Sequence, residues 1–271
     1  MIAYPNPPER AVILGSEQCV VAAVPRSLSA YDDYAIQFGD LIRCAGSGSD
    51  QLVVRLCLLG MTSITEEYFR RVLAGMTAIC PQASRLAFRE QVSIGASLYY
   101  SKEEIGFALF ERVSFSDTET IKKWTKKLCQ LDIPANSSLA DALREFEKVC
   151  ALRHAAVHSN GRLGVNNISE MGLAVSGPVS IALDVTSFQS ISEICLNTVR
   201  AYNRFVWDKI ISRWIKSKII VGNFEGDIEI FRRFVALLCE RSADILGSES
   251  HLRECYASEI EIRLQSFDVT R

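Results

Sequence analysis

The chain has 271 residues, 48% of them hydrophobic and 23% charged, with a net charge of −2. That is ample apolar material for a core, in one large domain or two small ones. The balanced charge argues against a general nucleic-acid coat while leaving local basic surfaces open. No run of about 18 apolar residues is free of charge, so a membrane-spanning helix is not expected.

The N-terminus, MIAYPNPPERAVIL, lacks the basic-then-apolar pattern of a signal peptide. Residues 10–24 contain two short apolar runs around Gly15-Ser16 and read as a small hairpin or a packed edge. From Tyr31 the pattern turns helical, with Tyr34, Phe38, Leu41 and Ile42 at spacings of three and four, until GSGSD at 46–50 stops it. Asp50 then caps a long helix over 51–79, ended by Pro81. Its first half (Leu52, Val53, Val54, Leu56, Leu58, Leu59) is apolar nearly all round, which predicts burial on several sides.

After a less regular stretch, Ser101 and Glu104 have capping-box spacing and predict a short helix. Another helix is expected over 119–131, halted by DIPANSS. Ser137 or Ser138 caps the next, whose apolar stripe is Leu139, Leu143, Phe146, Val149, Cys150 and Leu152. This helix should stop at Asn160-Gly161, a pair suited to left-handed backbone. Residues 162–185 read as loop, with one β-leaning run, VSIALDV. A long helix follows from Thr186 or Ser187 to about Trp214, and a last helical pair from about 227–246 and 250–266.

The expected fold is therefore all-α, an up-and-down bundle with long central helices and a minor β element. Residues 1–29 form an N-terminal segment, 30–218 the main helical domain and 219–271 a C-terminal helical extension. The nine cysteines are scattered singly, with no CxxC pair, and read as reduced, buried thiols of a cytoplasmic protein.

Two of the three histidines, His154 and His158, lie four apart in ALRHAAVHSNGRL, one directly after Arg153. Histidine exchanges protons near neutral pH, and arginine offers a planar fork that matches phosphate oxygens. Together they can cleave RNA without a metal. A helix C-terminus favours a protonated histidine. At 100° per residue, however, Arg153 and His158 diverge by roughly 140° on an ideal helix. Two copies of the helix end, facing each other across a two-fold axis, would bring both pairs into one cleft, so the chemical reading calls for a homodimer. On residue types alone, a cap of cations bonding the last carbonyls is the better account. A zinc site using His154 and His158 is the weaker alternative.

The stretch RHAAVHSNG resembles the Arg-X4–6-His motif of the HEPN superfamily, whose members are α-helical bundles and in many cases metal-independent endoribonucleases. The resemblance spans about residues 30–216. It implies Arg153 and His158 as the catalytic pair, His154 and Asn160 in support, no cofactor and no metal. It further implies a toxin or effector of a bacterial defence or toxin–antitoxin system, with RNA as substrate, a second copy of the chain as partner and a separate antitoxin or defence protein. HEPN domains often travel with a second module, and no GxxxxGK[ST] loop or other such motif occurs here. The stripe Arg200, Arg204, Lys209 and Arg213 is the candidate RNA-guiding surface, with Lys122 and Lys123 of KKWTKK as a weaker one. The bland reading of both clusters is a solvated helix face. The competing reading of the whole chain is a non-catalytic helical interaction module.

Overall fold

In the computed structural model, Ser29 accepts a hydrogen bond from the Asp32 amide (2.9 Å) and opens α1 (Ala30–Gly46). Residues 15–23, 27–47 and 50–268 are described. The hairpin expected over residues 10–24 falls largely outside them; within them Ser16–Cys19 forms a single 3₁₀ turn. Asp50 accepts from the Leu52 amide (2.8 Å) and starts α2 (Gln51–Ile79). Three short elements follow: α3 (Pro81–Ala87), α4 (Ile94–Tyr99) and a 3₁₀ turn over Ile105–Phe110. The Ser101–Glu104 spacing thus introduces a 3₁₀ turn rather than an α-helix. That turn packs tightly on α2, where a Cβ at Gly106 would lie 2.7 Å from the Ala74 carbonyl oxygen.

Asp117 caps α5 (Thr118–Cys129), and Ser137 caps α6 (Ser138–His158). A short α7 (Val165–Glu170) interrupts the expected loop. Asp184, two residues before the expected start, caps α8 (Val185–Lys216) reciprocally with Ser187: its carboxylate accepts from the Ser187 amide (2.7 Å), and the Ser187 hydroxyl accepts from the Asp184 amide (2.9 Å). The C-terminal region divides into α9 (Phe224–Leu238), α10 (Ser242–Leu246), α11 (Glu249–Tyr256), a π-helical turn over Ala257–Glu261 and α12 (Ile262–Asp268). The molecule is 72% helical and all-α. Among the described residues the β content is one antiparallel bridge, Arg162 to Ser180. Among the described residues no helix is long and apolar enough to cross a membrane.

The core forms around α2, α6 and α8. Phe69 meets Tyr202 edge-to-face at 4.9 Å between centroids, and the Tyr202 and Thr125 hydroxyls are hydrogen-bonded at 2.8 Å. The Thr198 hydroxyl donates to the Ala142 carbonyl (3.1 Å), and Arg200 and Arg204, further along α8, share a cleft with Ser137 and Ser138, so α8 runs antiparallel to α6, with the middle of α8 beside the start of α6. Residues of 219–268 join the same core: Trp207 of α8 stacks on Phe234 of α9 at 4.8 Å and 11°. Buried Asp227 accepts from the Val221 and Gly222 amides and from the Tyr256 hydroxyl (3.0, 2.9 and 2.6 Å), tying α9 to α11.

One expectation for α2 is reversed. Val54 and Leu58 are buried, but Leu52 and Leu56 face solvent, and dense burial begins only near Met61. The all-round apolar pattern of its first half combines an inward stripe with a second stripe that this single chain leaves uncovered.

Candidate active site

The site is built on the end of α6. The Ser159 and Gly161 amides both donate to the Ala155 carbonyl (3.1 and 2.9 Å), while Asn160 and Gly161 turn left-handed at φ +49° and +86°. This is a Schellman-type stop, and it puts His158 in the last turn, as the Asn-Gly pair predicts. The chain then folds back on itself. Leu163 donates to the Val179 carbonyl (3.0 Å) and Ile181 to the Gly161 carbonyl (2.8 Å). Asn167 of α7 accepts from the Gly164 amide (3.3 Å) and donates to the Ala151 carbonyl (3.2 Å), fastening α7 onto α6.

Arg55 of α2 also anchors this turn, donating to the Ile181 carbonyl at 3.3 Å. Its guanidinium would lie 3.3 Å from a Cβ at Gly161. Its one signal in the sequence is a lone charge inside QLVVRLCLLG.

Arg153 is half-buried, and His154 and His158 are exposed. The two imidazole centroids lie 4.6 Å apart with the rings tilted by 45°. Asn160 is exposed at the turn itself. Among the described residues no group of three or more His, Cys, Asp or Glu side chains could hold a metal ion, so the zinc alternative has no donor set there beyond the two rings.

His154 lines a cleft of about 640 Å³ between α6, α7 and the start of α5, together with Asp117, Glu147, Cys150, Asn167 and Glu170. Three carboxylates and no lysine or arginine line it, so on its own it disfavours phosphate. Asp117 is occupied as the α5 cap, accepting from the Thr120 amide (2.7 Å). Burial, with Glu66 nearby, pushes the Cys150 thiol well above its ordinary range, so it is no nucleophile at neutral pH.

The proposed RNA-guiding residues are not gathered at this end. Arg200 and Arg204 line a different cleft of about 850 Å³ with Ser137 and Ser138, at the start of α6. Twenty residues of helix separate that end from His158, about 30 Å. Arg200 donates to the Tyr31 hydroxyl (3.1 Å), and Arg204 and Lys209 are exposed. Arg213 turns inward, donating to the Cys129 carbonyl, with Cys80 Sγ at 3.4 Å; a tie between α8 and the ends of α2 and α5 describes it, not an outward cation. In KKWTKK, Lys122, Lys126 and Lys127 are ion-paired with Glu119, Asp132 and Glu90, which leaves Lys123 as the exposed cation without such a pair among the described residues.

No family model, no curated protein and no solved structure matches the chain.

Proposed function

We propose that the chain is a metal-independent endoribonuclease of the HEPN type, cytoplasmic and acting as a toxin or effector in a bacterial defence or toxin–antitoxin system. The observation that carries this reading is the end of α6: Arg153 and His158 sit on its last turn and a half, closed by the left-handed Asn160-Gly161 turn, with the imidazole open to solvent. A histidine there would take the proton of a ribose 2′-hydroxyl as that oxygen attacks the adjacent phosphorus. Arg153 would stabilise the charge gathering on the phosphorane. The 5′-oxygen would leave with a proton from a second histidine, giving 2′,3′-cyclic phosphate and 5′-hydroxyl ends.

A homodimer through this end would bring a second Arg153–His158 pair opposite the carboxylate-lined cleft. Exposed apolar side chains at the same end support it: Leu52 and Leu56 flank Arg55 on α2, and Val157 lies beside His158. An antitoxin or defence partner would be a separate chain.

The second reading, a non-catalytic interaction module, draws on the acidity of the cleft that His154 lines. Induction in cells and incubation of purified protein with transfer RNA in EDTA separate the two. The nuclease reading expects growth arrest and cleavage by the wild type, and neither from Arg153→Ala or His158→Ala. Cleavage that persists in both variants would remove this site, and no cleavage by any form would favour the module.

A further inference from the structure

Residues 88–104 form an arm that the chain's own core does not cover. In α4 only Ala96 is buried. Phe88, Ile94, Leu98 and Tyr99 are 93%, 80%, 82% and 80% exposed, and the helix packs chiefly on the 3₁₀ turn at 105–110. Ile94 and Leu98, four apart, share one face. Beside them runs a groove of about 310 Å³ lined by Ala87, Phe88, Val92, Ile105, Leu109 and Glu90, among others. A six-residue helix cannot hold itself in water, and four large exposed apolar side chains within residues 88–99 mark a surface meant to be covered.

We propose that this arm is an interface between two copies of the chain, the Ile94–Leu98 ridge of each seated in the Phe88–Val92–Leu109 groove of the other. Three observations select a second copy as the occupant. Ridge and groove lie next to each other on one chain, as a two-fold, self-complementary contact requires. The exposed side chains supply on the order of 600 Å², most of the ~800 Å² per partner of a standard interface. The exposed charges around them are mixed, Arg85, Arg89 and Lys102 against Glu103 and Glu104, where a rim of one sign would repel its own copy.

This contact is separate from the motif. The groove reaches Thr77 near the end of α2, whereas Arg55 marks the motif end, 22 residues or about 33 Å away along the helix. It stands whether or not the motif end also pairs.

Sedimentation of the full chain over a wide concentration range tests it, with Leu98→Asp, Ile94→Asp and, at the other end, Val157→Asp. All three positions are exposed, and circular dichroism confirms that each variant keeps its fold. The wild type should sediment at twice the 30.2 kDa chain mass or more. Each arm variant should halve that mass, while Val157→Asp should leave the arm contact in place. A wild type at 30.2 kDa, or arm variants that keep the wild-type mass, would overturn the proposal.

Discussion

The rings of His154 and His158 lie 4.6 Å apart on consecutive turns of α6, yet only His154 lines the neighbouring cleft. Their environments therefore differ although their spacing joins them. His158, in the final turn, is the candidate proton carrier, and His154 supports it. Alanine at His158 or Arg153 should lower the rate of RNA cleavage by about 10²–10⁴-fold. His154→Ala should cost less. Single-turnover cleavage of one labelled transfer RNA by the three variants checks the order.

The left-handed stop is the structural condition for this site. A Cβ at Gly161 would meet Ile181 Cγ1 at 3.0 Å and the Arg55 guanidinium at 3.3 Å, at a φ of +86°. Gly161→Ala should cost about 1–2 kcal/mol, read as a fall in melting temperature.

Arg204 and Arg213 look alike in sequence, and the structure separates them. Arg213→Ala should lose about 1–3 kcal/mol of stability, because the Cys129 carbonyl loses its donor. Arg204→Ala should leave stability nearly unchanged and weaken RNA binding, lowering the slope of binding against salt by about one counterion. Chemical denaturation and a salt titration of RNA binding distinguish the two.

The buried thiols give a pH dependence with a definite sign. Burial raises Cys57 to about 11, and Cys129 and Cys195 to about 12, from an ordinary value near 9. Above pH 9 the unfolded chain releases protons that the folded chain holds. The contribution of these groups is thus fully present below about pH 9 and is lost as the pH rises through 11 and 12. Urea midpoints should fall across that window, and less steeply when Cys129 and Cys195 are both replaced by alanine. In the native protein at neutral pH, a thiol reagent should reach Cys19 and Cys44 first.

The long helices were legible in the sequence because periodicity over three or more turns, together with the Asp50 and Ser137 caps, overdetermines them. The short α3, α4 and α7 were not, since six or seven residues cannot display a 3.6-residue period. The stop after His158 was read from Asn160-Gly161 because a left-handed turn demands such residues. The position of Arg200 and Arg204 was hidden for a different reason. They follow the motif in the chain, but α8 runs antiparallel to α6 and carries them back to its far end. Arg55, Asp117 and Glu170 come from other elements, and only tertiary packing brings them to the site, whereas Glu147 lies on α6 itself.

The most direct measurement is the chemistry of the product ends. Wild-type protein, incubated with a defined RNA in excess EDTA, should yield 5′-hydroxyl and 2′,3′-cyclic phosphate termini, and His158→Ala should yield no product. Products with 3′-hydroxyl and 5′-phosphate ends, or the same cleavage by the wild type and by His158→Ala, would contradict an Arg153–His158 ribonuclease.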